Sequence, residues 1–184
     1  MILALVTILA LAANAFCNRQ QIRLQTTQCA VKSNYSLDLS QYMGIWYEIG
    51  ATLVPRQFME KGCSCNYANY TLVGDLVDVQ NSCIRNGSPS IARGTASQLN
   101  KSRPGDLTVS FPGRPVSGPN YIVVNQWSNN SLTLVGDPCQ AYFWLLSRDR
   151  EISTGIVAEA LDYAKTMGYN PEILGFQLTK QYSC

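Results

Sequence analysis

From Tyr42 to Arg148 the chain consists of short apolar segments at regular spacing, separated by clusters of glycine, proline, asparagine and aspartate. This pattern is typical of an all-β protein built from short strands. Eight strands are predicted, at residues 44–54, 66–73, 76–84, 90–99, 107–111, 121–127, 131–135 and 142–147. Connections such as Gly74-Asp75 are short enough for hairpins, so consecutive strands are expected to pair antiparallel. Closing eight strands on themselves removes exposed sheet edges, which predicts an up-and-down antiparallel barrel with room for one small ligand.

The residues after the strands show a helical period instead. Residues 153–167 carry apolar side chains at helical spacing, with Ser153 or Thr154 as the N-cap and Gly168 as the C-terminal stop. The predicted apolar face consists of Ile156, Val157, Ala160, Leu161 and Ala164. Because such a face must be buried, this single C-terminal α-helix is expected to pack against the outer wall of the barrel. A short strand is predicted within residues 174–178.

The first fifteen residues are typical of a secretory signal peptide. Residues 2–13 are mostly apolar, and Ala13-Asn14-Ala15 places small residues at the positions that a signal peptidase inspects. Cleavage is predicted before Phe16, which makes the protein secreted. The competing interpretation is a bacterial lipoprotein anchored through Cys17. No later segment is long and apolar enough to predict a transmembrane helix.

The amino-acid composition excludes several kinds of catalytic and metal site. The chain has no histidine, which excludes Ser-His-Asp triads and histidine zinc ligands, and no metal or other cofactor is predicted. Seven cysteines suit an oxidising compartment and predict three disulfides with one leftover thiol. With 14% charged residues and a net charge of +2, nucleic-acid binding is not expected. Sequons predict N-glycosylation at Asn34, Asn69, Asn100 and Asn129, whereas the sequon at Asn86 is weakened by the proline that follows it.

Two motifs resemble those of the lipocalins, and a further segment lies at the position of the family's second motif but departs from its usual pattern at Asn125-Gln126-Trp127. Gly44-Ile45-Trp46 opens the first strand after a short amphipathic stretch at residues 37–43, residues 121–127 fall where the family has its second motif, and residues 144–148 resemble the third. The resemblance extends from about Cys29 to the end of the chain. Within the family, the sequences around Cys65 and Cys83 resemble the apolipoprotein D and chloroplastic-lipocalin branch.

This resemblance, together with the leader, predicts how the chain is organised. A signal peptide at residues 1–15 is followed by an N-terminal arm at 16–36 and by a single lipocalin barrel domain, with its helix and tail, at 37–184. The resemblance implies disulfides between Cys29 and Cys139, between Cys65 and Cys184, and between Cys63 and Cys83. Cys17 is left over and is the candidate for a bridge between two copies of the chain.

Strand parity predicts which side chains face the barrel interior. Trp46, lying under the guanidinium of Arg148, is predicted to close one end of the barrel through apolar area and a cation–π contact. Glu48 shares the parity of Trp46, so it needs a partner such as a tyrosine or an arginine unless a bulge breaks the parity. The predicted ligand-binding residues are Tyr70, Asn81, Arg85, Tyr121, Tyr142 and Trp144. Phe143 and Leu145 are expected to face outward, under the helix.

These observations predict a secreted binding and transport protein rather than an enzyme. Its ligand would be a small hydrophobic molecule of the fatty acid, retinoid, sterol or tetrapyrrole class, with Arg85 or Asn81 orienting a polar group. One alternative is a lipocalin-fold enzyme that acts on a lipid or carotenoid through a free thiol at Cys83 or Cys17. Another is a glycosylated protein-recognition module with a filled barrel, which would use loops at residues 54–62 and 101–105.

Overall fold

The computed structural model describes Cys29, Ser33 and residues 35–114, 116–127 and 129–184. The elements given below belong to the unit of residues 31–184. The predictions for the signal peptide, for Cys17 and for glycosylation at Asn34 lie outside the described residues. Among the helices in the described ranges, none is long and apolar enough to span a membrane.

Within these ranges the fold has two α-helices, one π-helical turn and nine strands. The helices are α1 (Leu39–Tyr42) and α2 (Thr154–Thr166), and the π-helical turn covers Pro55–Met59. The strands are β1 (Gly44–Ala51), β2 (Cys63–Val73), β3 (Leu76–Arg85), β4 (Ser88–Ser97), β5 (Asp106–Ser110), β6 (Tyr121–Trp127), β7 (Leu132–Gly136), β8 (Phe143–Ser147) and β9 (Gln177–Leu178).

The strands form one antiparallel sheet in the order β2-β3-β4-β5-β6-β7-β8-β1-β9. β1 also pairs with β2, with Trp46 opposite Ala68, and this pairing closes β1 to β8 into a barrel. The predicted eight-stranded up-and-down barrel is therefore confirmed. β9 adds to β1 outside this circuit, where Gly50 lies opposite Leu178.

Two strand ends differ from the prediction by three residues, and the other differences are of one or two residues. β1 stops at Ala51 because the chain enters the π-helical turn, in which Pro55 has no N–H to donate to a neighbouring strand. β2 begins three residues earlier than predicted, at Cys63, and a register shift between Ser64 and Tyr67 interrupts its pairing with β3. A bulge inserts one extra residue into a strand, so alternation of apolar and polar residues continues past it only out of phase.

Helix α2 packs on the outside of the barrel, as predicted. The Ser153 side chain caps it by accepting a hydrogen bond from the backbone N–H of Ile156, and Gly168 follows its end with a φ of +88°. Ala160 and Ala164 are buried in the clusters that also contain outward-facing Leu145 and Phe143. The prediction for Ile156 was wrong: it is 38% exposed, because it lies at the edge of the apolar stripe that these alanines centre.

Two disulfides tie the strands and the tail together. Cys63 is bonded to Cys83 and Cys65 to Cys184, the pairings that the resemblance implies. Cys29 and Cys139 also take part in disulfides, and their bond to each other stays a prediction. Because Cys83 is oxidised, it does not supply the free thiol that the enzyme alternative requires at that position.

Candidate functional site

One end of the barrel is closed by Trp46 and Arg148. Trp46 is 0% exposed, and its indole Nε1 donates to the carbonyl oxygen of Tyr42 at 2.8 Å. The Arg148 guanidinium lies 3.8 Å from the centre of the Trp46 ring and donates to the carbonyl oxygens of Ile45 at 2.7 Å and Gln41 at 2.9 Å. The guanidinium thus stacks on the ring while its N–H groups bond to the backbone, which an ammonium group does less well. The predicted contact is present, and it joins α1, β1 and the end of β8.

Three tyrosine hydroxyls meet in the interior next to this closure. Tyr121 Oη lies 2.8 Å from Tyr42 Oη and 3.1 Å from Tyr70 Oη, and the rings of Tyr42 and Tyr70 stack with their centroids 5.7 Å apart. Burial raises the pKa of Tyr70 to about 12 and raises the pKa of Tyr42 and Tyr121 well above the ordinary value. The three hydroxyls therefore stay neutral and form a polar, uncharged floor.

Replacing Tyr121 with phenylalanine is expected to lower the free energy of unfolding by about 1–3 kcal/mol, because the buried hydroxyls of Tyr42 and Tyr70 both lose this partner. Urea unfolding measures the loss. Tyr47→Phe is the matched control, since Tyr47 lies on the opposite face of β1, against Tyr67. Equal losses in the two variants would show that the tyrosine cluster contributes no special stability.

The barrel opens at the end opposite Trp46. On the inward face of β3, Val79 is 4% exposed, whereas Asn81 and Arg85, which share its parity, are exposed. The neighbouring strand β4 shows the same change, because Ala96 is buried and Ala92, which pairs with Asn81, is exposed. Inward-facing side chains that reach solvent line an opening, so the described strands form a cup with one closed end.

Trp144 stands on the interior wall of this cup. It packs against the interior cluster, and its ring meets that of Tyr142 edge-on with the centroids 5.2 Å apart. The indole Nε1 donates to Glu60 Oε1 at 2.9 Å. Glu60 was not among the predicted site residues; it follows the π-helical turn and reaches the wall from there. Tyr142 directly precedes β8, where its backbone N–H donates to the Asp137 carboxylate at 3.0 Å, and burial raises the pKa of its hydroxyl.

The structure divides the six predicted ligand-binding residues between two places. Tyr70, Tyr121 and Trp144 belong to the interior cluster, with Tyr142 beside Trp144. Asn81 and Arg85 lie at the rim. The Arg85 Nη2 atom donates to the carbonyl oxygen of Met59 at 3.4 Å, so the guanidinium contacts the turn that follows β1.

Glu48 lies in a buried polar cluster. Its carboxylate accepts hydrogen bonds from Asn66 Nδ2 at 3.3 Å and from the Thr179 hydroxyl, and Arg56 Nη2 lies 3.3 Å from its Oε1. The first of the two predicted outcomes occurs, since Glu48 has an arginine partner; the register shift between Glu48 and Gly50 marks a bulge that comes after Glu48 and leaves its parity with Trp46 unchanged. Asn66 and Thr179 were missed, because no motif marks a side chain contributed by a bulge or by the tail.

Comparisons with known proteins identify the family to which this barrel belongs. The family model of the lipocalin-like domain matches residues 37–178. The chain is 31% identical over 142 residues to temperature-induced lipocalin-1 of Arabidopsis thaliana, with 73% of this chain and 75% of that protein covered. It is 29% identical over 175 residues to apolipoprotein D of Macaca fascicularis, with 90% and 87% covered. Among solved structures, insecticyanin of the tobacco hornworm Manduca sexta has the same fold, with a TM-score of 0.64, 19% identity, and 82% of this chain and 84% of that chain covered. Motifs, barrel topology and sequence identity together show that this chain belongs to the lipocalin family, in an apolipoprotein D-like branch.

Proposed function

We propose that this chain is a secreted binding and transport protein that holds one small hydrophobic ligand in its barrel. Lipocalins generally bind or transport small hydrophobic molecules. The observation that carries the proposal for this chain is the change in exposure along β3 and β4, whose inward side chains are buried near Trp46 and exposed at the other end. Inward side chains that are exposed at one end leave that end accessible to a ligand, which supports an open barrel. No catalytic role is proposed.

The chemistry of the interior supports a ligand with a long apolar body, of the fatty acid, retinoid, sterol or tetrapyrrole class. The wall is apolar and aromatic, and the tyrosine floor is neutral. Affinity would come mainly from burial of apolar surface, at roughly 25 cal/mol per Å². The polar groups of Arg85 and Asn81 lie at the rim, so a carboxylate or carbonyl group of the ligand is proposed to lie there rather than at the floor.

Trp144 is expected to report binding through its fluorescence. A bromine-labelled fatty acid quenches the indoles that it touches, so it should lower the emission of the wild-type protein, and the Trp144→Phe variant should lose at least half of that quench. Trp127→Phe is the matched control and should keep the full quench, because Trp127 packs outside the barrel against Tyr163, with ring centroids 5.1 Å apart. A full quench in Trp144→Phe would mean that the ligand binds elsewhere.

Secretion is part of the proposal and is supported by the cysteines. All six cysteines among the described residues take part in disulfides, which suits an oxidising compartment. Asn100 and Asn129 are exposed and Asn69 is half-buried, so glycans are proposed first at Asn100 and Asn129. A disulfide-linked dimer through Cys17 is also proposed, and it would separate from the monomer on a non-reducing denaturing gel.

A glycosylated protein-recognition module is the second candidate. One observation favours it: the turn after β1 exposes apolar side chains, with Phe58 74% exposed. Native mass spectrometry of the gently purified protein separates the two functions. A retained small-molecule adduct supports transport, whereas a bare protein that also fails to bind the brominated fatty acid would favour recognition.

A further inference from the structure

Glu48 and Glu60 bring two carboxyl groups together in the wall of the cup. Glu48 is buried on β1, and its carboxylate already accepts hydrogen bonds from Thr179 and Asn66. Glu60 arrives from the segment after the π-helical turn, and its Oε1 accepts the hydrogen bond from Trp144 Nε1 at 2.9 Å. Glu48 lies opposite Leu146 on β8, two residues from Trp144 on the same face of the strand, so the carboxyl group that Trp144 holds comes next to Glu48.

The second oxygen of Glu60 has no ordinary partner. Glu60 Oε2 is buried, and no described residue donates a hydrogen bond to it. An unsatisfied buried acceptor is costly, and a second negative charge beside Glu48 is costlier. One proton on Glu60 would remove both costs, because its O–H could donate to the neighbouring Glu48 carboxylate while Oε1 still accepts from Trp144.

We propose that protonated Glu60 latches residues 55–62, the mouth segment, onto the barrel wall at Trp144, and that loss of this proton releases the segment. The mouth segment is also held at a second point, where Arg85 Nη2 donates to the Met59 carbonyl oxygen at 3.4 Å. It therefore contacts both β8 and the end of β3. Release at Glu60 leaves the contact with Arg85 and frees the indole N–H of Trp144. The latch acts without a ligand, so it does not depend on the proposed function.

The groups around Glu60 place the loss of its proton at mildly alkaline pH. Burial raises the pKa of Glu60 most, the charge of Glu48 raises it further, and the bond from Trp144 and the charge of Arg56 lower it, with the balance at about 8. Glu48 on β1 and Arg56 in the π-helical turn are the charged groups that face it, and β8 contributes the uncharged Trp144. Because the pKa is raised in the folded state above the usual 4.5, the proton stabilises the fold fully below about pH 4.5, and this contribution is lost as the pH rises to about 8.

The indole N–H signals of the full chain, followed by ¹⁵N NMR from pH 5 to 10, test the latch. Assignment uses the Trp144→Phe and Trp127→Phe variants. The Trp144 signal is expected to shift with a midpoint near pH 8. Glu60→Gln keeps an acceptor for Trp144 and a donor for Glu48, so its Trp144 signal should not move over this range. In Glu48→Gln the like charge is gone, and the midpoint should fall.

A second measurement uses only the wild-type protein, so it does not depend on whether a variant folds. The ¹³C carboxyl signal of Glu60 in the wild-type protein should titrate near pH 8, several units above an exposed glutamate. Titration of this carboxyl near pH 4.5, or a Trp144 transition that persists unchanged in Glu60→Gln, would overturn the latch. Tyr142→Phe tests whether the neighbouring tyrosine causes the pH dependence of the Trp144 signal. If the Trp144 transition disappears in this variant, it reports the Tyr142 hydroxyl, and the latch proposal would be overturned.

Discussion

Replacing Trp46 with alanine is expected to lower the free energy of unfolding by about 3–5 kcal/mol, the range for large aromatic side chains removed from a core. The indole is fully buried at the closed end and donates to the Tyr42 carbonyl oxygen. Its removal takes away this bond, the apolar area and the surface on which the Arg148 guanidinium stacks. Urea unfolding followed by far-ultraviolet circular dichroism measures the loss without relying on tryptophan emission.

Trp46→Phe is the matched control for this prediction. Phenylalanine retains much of the apolar volume but loses the hydrogen bond to Tyr42 and part of the cation–π contact, so the expected loss is about 1–2 kcal/mol. If Trp46→Ala lost no more free energy of unfolding than Trp46→Phe, neighbouring side chains would have filled the space left by the indole. The assignment of Trp46 as the plug of the closed end would then be wrong.

Removing the disulfide between Cys65 and Cys184 by a double substitution to serine is expected to cost about 4–5 kcal/mol. The bonded residues are 119 positions apart, and a cross-link over a long loop restricts the unfolded chain more than one over a short loop. The bond also holds the tail, whose Gln181 Nε2 donates to the carbonyl oxygens of Glu48 at 3.0 Å and Asn66 at 2.7 Å. Urea unfolding without reductant measures the change.

The pair Cys63 and Cys83 provides the comparison for that prediction. These residues are 20 positions apart, and the same reasoning gives about 3 kcal/mol for their double substitution to serine. Each variant removes one disulfide, and Cys184 is exposed whereas Cys63 and Cys83 are half-buried, so a larger loss from the Cys65–Cys184 pair reports loop length and the attachment of the tail. A larger loss from the shorter loop would contradict the entropic argument and would point to local packing at the rim.

The barrel was predictable because the alternation of apolar and polar residues that indicates a strand is local and repeats every two residues. β6 covers the residues predicted for it, and Phe143 and Leu145 face the helix while Trp144 faces inward. Parity failed to describe the places where the backbone is irregular. The bulges in β1 after Glu48 and in β2 before Tyr67 shift the phase of the strand, and the apolar pattern contains no mark of an inserted residue.

The amino-acid sequence by itself determined the strand count, the helix on the outside, the closure by Trp46 and Arg148 and the inward direction of Tyr70, Tyr121 and Trp144. Tertiary structure alone decided how deep each inward residue lies, which is why Asn81 and Arg85 are at the rim. It also decided the partners of Glu48 and of Trp144, because Thr179 lies 131 residues from Glu48 in the chain and Glu60 reaches Trp144 from a turn. Such side chains meet only after the barrel has closed, since contact between distant residues follows from topology and not from any repeat in the chain.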